Sequence, residues 1–130
     1  MVIRAPDLHR LAEQMGVHLQ RHNGGVPGWY DHRRRTISTR RGMSIAMYRS
    51  VLAHELGHAH YGDVPVRGIY TARQEHRADL YAAHLLIDPD EFRDACIWHH
   101  DHLGAVADDL EVTHHLARVY AAHSLERTHP

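Results

Sequence analysis

Apolar positions along the chain alternate between two periods, and the switches predict the order of elements. Leu8, Leu11 and Ala12 mark one face of a short helix over 7–15, with Pro6 near its start and Gly16 at its end. Three short runs, 17–22, 29–32 and 36–39, then read as strands. Asn23-Gly24-Gly25 and Pro27-Gly28 supply turn chemistry between the first two, and Arg33-Arg34-Arg35 falls at the second turn. From Ser44, a natural N-cap, the period becomes helical: Ile45, Tyr48, Leu52, Leu56 and Ala59 form a stripe, and Gly62-Asp63 before Pro65 stops it. A second helix carries Ala78, Ala82, Leu85 and Leu86 on its apolar side. Asp88-Pro89-Asp90-Glu91 opens another helix, with Asp as cap, Pro at the first position and acids in the first turn; Phe92, Ala95 and His99 share its face. Segments 103–110 and 113–123 read as a helix pair with Val106, Leu110, Leu116 and Tyr120 inward and Thr113 as cap, and 124–130 as a frayed tail. The fold class is α+β: a small three-stranded antiparallel sheet packed on a mainly helical domain, with a C-terminal helical lobe over 89–125. At 130 residues the chain is long enough for one good core, so a single domain is expected, with the sheet and site helices in 1–88.

Inside the predicted helix from Ser44 lies His54-Glu55-Leu56-Gly57-His58, a complete H-E-x-x-H. Residues four apart lie on one helix face, so His54 and His58 can point at one metal ion. Glu55 sits about 100° round the helix, where it can hold a water and take its proton. The chain carries 16 His, which makes chance matches easier; the helix signals around the motif raise its weight. Gly57 costs about 1 kcal/mol of helix propensity relative to Ala, so its presence points to another backbone packed close by. A zinc site needs a third protein ligand and an open position. The metzincin pattern is excluded, because Tyr61 and Val64 stand where it needs Gly and His. His60 projects from another side of the helix. Downstream, Glu75 and Asp79 are four apart on the second helix. Glu75 could ligate the metal, and Asp79 could accept the N–H of a ligating histidine and fix its tautomer; alone, the pair would read as a solvated face with Arg73 and Arg77 as partners. Tyr61, Tyr70 and His76 are candidates to stabilise an oxyanion, against ordinary packing for the tyrosines. Trp98-His99-His100-Asp101-His102 does not converge on a second metal, because adjacent helical residues diverge.

Composition narrows the setting. Cys96 is the sole cysteine, so no internal disulfide forms. No apolar run approaches the ~20 residues of a membrane helix, and the first residues lack a signal peptide's apolar core, so a cytoplasmic protein is expected. The chain has no Lys, and its charge is uneven. Residues 1–53 hold nine Arg against Asp7, Glu13 and Asp31, whereas 88–130 hold three Arg against nine acids. Arg33, Arg34, Arg35, Arg40 and Arg41 read as a solvated hairpin that discourages edge aggregation; the sharper readings are a dock for an acidic protein and, less favoured without Lys or a nucleic-acid-binding signature, contact with nucleic acid. The last helix offers Arg118 and two neighbouring histidines, too few cations for a recognition helix, which argues against direct DNA binding.

H-E-L-G-H-A followed by E-x-x-A-D-x-x-A-x-x-L-L, at Glu75 to Leu86, resembles the ImmA/IrrE family of gluzincin-type metallopeptidases. The resemblance covers about residues 17–89. One departure stands at its end, where Leu85-Leu86-Ile87-Asp88-Pro89 replaces a common L-L-M-P. It implies a zincin-like domain with one zinc per chain, with His54, His58 and Glu75 as ligands, Glu55 as general base and Asp79 as orienting residue. It also implies an endopeptidase acting on a cytoplasmic protein, such as a helix-turn-helix repressor of a phage, mobile element or stress regulon. In gluzincins a strand before the active-site helix commonly forms the edge on which substrate is added. That implies Thr36, Ile37, Ser38, Thr39 and Arg40 here. Two rivals remain: a metal-stabilised antirepressor that binds without cutting, and, less favoured, a DNA-binding regulator.

Overall fold

The computed structural model describes residues 7–128, so Pro6 and the last two residues of the expected tail lie outside the described residues. The elements are α1 Leu8–Gln14, β1 His18–His22, β2 Gly28–Asp31, β3 Thr36–Arg40, α2 Ile45–Tyr61, α3 Ala72–Leu86, α4 Pro89–Trp98, α5 Leu103–Asp109 and α6 His114–Thr128. The fold is α+β, with the helical part dominant. Ser124 does not begin a frayed tail: α6 continues to Thr128, because no Gly or Pro interrupts a run rich in good helix formers.

The sheet corrects the sequence expectation. Its order is β1-β3-β2, with β1 parallel to β3 and β2 antiparallel to β3, so it is mixed rather than antiparallel. Only β2 and β3 form a hairpin; after 23–27 the chain crosses to the far side of the later β3. Consequently Thr36, Ile37, Ser38, Thr39 and Arg40 form the central strand and not an edge, and both of their backbone faces are already paired. The reason lies in the side chains. Ile37, Ser38 and Thr39 are buried, small or β-branched, and fit a slot with neighbours on both sides. β1, His-Leu-Gln-Arg-His, is polar and largely exposed, as suits an edge.

α2 is held at both ends. Ser44 Oγ accepts from the Met47 N–H at 3.2 Å. At the other end Gly62, at φ 64°, takes the left-handed conformation that turns the chain back and lets Asp63 N–H donate to His58 O. Its buried side starts later than the stripe predicts: Ile45 is exposed, Tyr48 half-buried, and Leu52, Leu56 and Ala59 buried. α3 begins with a capping box of Thr71 and Gln74. One hydrophobic core draws on α1, the sheet, α2, α3, α5 and α6, with Phe92 of α4 packed against it. Among the described residues no helix is long and apolar enough to cross a membrane.

Candidate metal centre

α2 and α3 pack at Gly57, where a Cβ would lie 3.0 Å from both Cα and O of Ala78. Only glycine allows that approach. It brings His54 opposite Asp79 and His58 opposite Glu75, so the two helices run antiparallel with their functional residues in register. His54 Nε2 and His58 Nε2 are 3.2 Å apart, and Glu75 Oε1 lies 3.2 Å from the first and 2.7 Å from the second. These three are the one group among the described residues whose donor atoms cluster closely enough to share an ion.

The other ring nitrogens are engaged by carboxylates. His54 Nδ1 donates to Asp79 Oδ1 at 2.8 Å, and His58 Nδ1 donates to Asp63 Oδ2 at 2.9 Å. A carboxylate only accepts, so each ring turns Nε2 toward the common point. Asp63 is itself fixed by Arg77 Nη2 at 2.6 Å. Asp79 has a second partner as well: His115 Nε2, on α6, donates to its Oδ2 at 2.8 Å. Burial pushes the Asp79 carboxyl up, but the hydrogen bonds from His54 and His115 outweigh it and hold it below the usual range. Burial disfavours a charged His54, yet the Asp79 bond and the carboxylates of Glu55, Asp79 and Glu75 raise its pKa to about 9.

Glu55 is only 7% exposed, and burial raises its carboxyl above the ordinary range, against the pull of His54 and His58. Its Oε1 is buried without a hydrogen-bond partner. It lines a cavity of about 420 Å³ together with Gly28, Val51, His54, Asp79 and His115. A larger cavity, about 750 Å³, is walled by Arg49, α4 and Glu111 and touches none of the metal-capable residues.

The remaining sequence candidates separate. Tyr70 stacks on His58 at 3.8 Å between centroids, and its hydroxyl donates to Tyr30 O at 3.3 Å. Tyr61 packs on His60 and Tyr81 under the Arg77 guanidinium, 4.1 Å from its ring. His76 opens onto a different recess with Arg118 and His123. His99, in the cluster considered for a second metal, pairs with Asp109. Of the arginines, Arg35 is half-buried and bonded to Tyr30 Oη and Met15 O, while Arg33 and Arg34 are exposed. Asp63 and His115 escaped sequence reasoning. Asp63 read only as a helix stop, though its place five residues after His58, behind a C-capping glycine, was a usable signal. His115 has none, being 36 residues from Asp79.

The model of the IrrE N-terminal-like domain, Peptidase_M78, matches residues 12–120. The chain belongs to the Peptidase_M78 family. No curated protein matches it. The matched span of this Peptidase_M78 domain includes the whole sheet, both site helices and His115. Its metal-capable residues fit a divalent ion of the zinc type. Tetrahedral bonds of about 2.0–2.2 Å place donor atoms roughly 3.3–3.6 Å apart; the two 3.2 Å spacings from His54 Nε2 are close to this, while the 2.7 Å between His58 Nε2 and Glu75 Oε1 would have to open by about half an ångström around an ion. Two imidazoles and one carboxylate would leave one position for water, and Glu55, which carries the unpartnered oxygen, lines the same cavity as His54.

Proposed function

We propose that this Peptidase_M78 member is a zinc-dependent endopeptidase that cuts a cytoplasmic protein, a helix-turn-helix repressor of a phage or mobile element. The observation that carries the reading is the buried, unpartnered Glu55 Oε1 next to converging His54, His58 and Glu75. The repressor as substrate rests on the family resemblance. A bound zinc would polarise the scissile carbonyl and acidify water. Glu55 Oε1, raised in pKa by burial, takes the proton of the attacking water and returns it to the leaving amine nitrogen. Asp79 and Asp63 keep the two imidazoles in the ligating tautomer.

The substrate strand has an edge in β2. Arg40 N–H donates to Pro27 O, so alternation turns the Pro27 carbonyl and the backbone N–H and C=O of Trp29 and Asp31 toward β3, and those of Gly28 and Tyr30 outward. Gly28 lines the cavity beside Glu55, so a peptide added there passes the general base.

The test is incubation of zinc-loaded wild type and Glu55→Gln with repressors encoded beside it, read by intact mass. Wild type is expected to cut one of them at a single bond, and the variant, with zinc and fold retained, at least about 100-fold more slowly. Equal rates would remove Glu55 as base. A wild type that binds a repressor and leaves it whole would mark a non-catalytic antirepressor.

A further inference from the structure

We propose that His115 is a positioning residue of the metal centre, contributed by the C-terminal lobe: it fixes the Asp79 carboxylate in the orientation from which that carboxylate holds His54. The inference rests on the metal-centre reading above and adds to it a component from outside the two site helices.

Asp79 is held from two sides. Its Oδ1 accepts from His54 on α2 and its Oδ2 from His115 on α6, each at 2.8 Å. A carboxylate bonded through one oxygen can still turn about its broad terminal torsion. Bonded through both, to rings on different helices, it cannot turn without losing one of them. His115 is well placed to impose this, because the chain just before it is tied back to α2. Thr113 N–H donates to Ser50 Oγ at 3.0 Å, and Arg49 Nη1 donates to Leu110 O and Glu111 O at 3.2 and 2.9 Å. Ser50 is one helical turn before His54. The contacts therefore close a ring from His54 through Asp79, His115, Thr113 and Ser50 back to α2: hydrogen bonds join His54 to Asp79, Asp79 to His115 and Thr113 to Ser50, and the chain itself supplies the other two links.

Fold stability alone is a poor account of the contact. The His115 side chain is 61% exposed while that of Asp79 is 17% exposed, and a polar contact with one partner in water contributes little to a fold. What the bond does determine is the orientation of the carboxylate that His54 depends on.

The experiment compares wild type, His115→Ala, His115→Gln, Asp79→Ala and the His115→Ala/Asp79→Ala double variant. Zinc affinity is measured by competition with a chromogenic chelator, the visible spectrum with cobalt in place of zinc, and thermal unfolding on the metal-free proteins. His115→Ala is expected to weaken zinc about 10-fold, the low end for an outer partner of a ligating histidine, and to alter the cobalt spectrum. His115→Gln, whose amide N–H can reach Asp79, is expected to restore most of both. In the Asp79→Ala background, loss of His115 is expected to add nothing. Metal-free unfolding temperatures are expected to stay together for wild type and the two His115 single variants. The proposal is overturned if His115→Ala binds zinc and cobalt as wild type does, or if its loss persists undiminished without Asp79. It is also overturned if the sole effect is a lower metal-free unfolding temperature. A wild type that takes up neither metal overturns the metal-centre reading itself, a result distinct from all of these.

Discussion

His54 and His58 each spend one nitrogen on a carboxylate and present the other to the same point, and the consequences can be tested one side chain at a time. Asp63 is the less obvious of the two carboxylates. It is 3% exposed and holds both His58 and Arg77. Asp63→Ala leaves a buried imidazole N–H without an acceptor, which costs about 1–3 kcal/mol. It also frees the ring, and outer partners of this kind are worth roughly 10–100-fold in metal affinity. Thermal unfolding and chelator competition should both register the change; an unaltered zinc affinity would deny Asp63 its orienting role. His54 gives a pH dependence. Its pKa of about 9 in the metal-free protein means that it is protonated at pH 7, and a metal ion must displace that proton. Zinc binding at pH 7 should therefore release protons, and affinity should rise with pH up to about 9. Calorimetry in buffers of different ionisation enthalpy measures this, and an apparent enthalpy independent of buffer would contradict it.

The contact of α2 with α3 aligns four functional residues through one glycine. Gly57→Ala would gain about 1 kcal/mol of helix propensity. Against that gain, the new methyl group would sit 3.0 Å from Ala78 backbone atoms that cannot swing aside, and overpacking of a tight core costs about 1–3 kcal/mol. The second effect wins: the unfolding temperature should fall, and zinc should bind more weakly as Glu75 and Asp79 are pushed from His58 and His54. A higher unfolding temperature would show that the helices separate freely. The same contact explains why these helices were legible in sequence. Ser44, Gly62 and the apolar stripe of α3 are local signals, and a tolerated Gly57 already implied a close neighbour. Strand pairing is not local. The three strands could be placed from their turns, but nothing within 17–40 states that β3 lies between the other two. The resemblance to gluzincins implied an edge at the strand before the site helix, whereas the burial of Ile37, Ser38 and Thr39 suits the central place that β3 takes, and β2 is left open beside Glu55.

Over the whole molecule the site is assembled from parts of different visibility. The H-E-x-x-H and Glu75 could be read because spacing on a helix is fixed. Asp63 depends on a turn after a helix, and His115 depends on the docking of α6, which no spacing encodes. The division into site region and C-terminal lobe is correspondingly less sharp in space than along the chain, since Thr113, His115 and Leu116 of the lobe line the cavity that Glu55 and His54 share. An ion tying α2 to α3 should also stabilise the folded chain. At free zinc 100 times its dissociation constant, the gain is about 2.7 kcal/mol, seen as a higher unfolding temperature that a chelator reverses. The most direct test of the centre is metal content per chain, by mass spectrometry, for wild type and Glu75→Ala. One tightly held zinc in wild type, lost or weakened in the variant, is the predicted result. Zinc held equally well by Glu75→Ala, or none in wild type after zinc is supplied, would contradict the assignment of His54, His58 and Glu75 as its ligands.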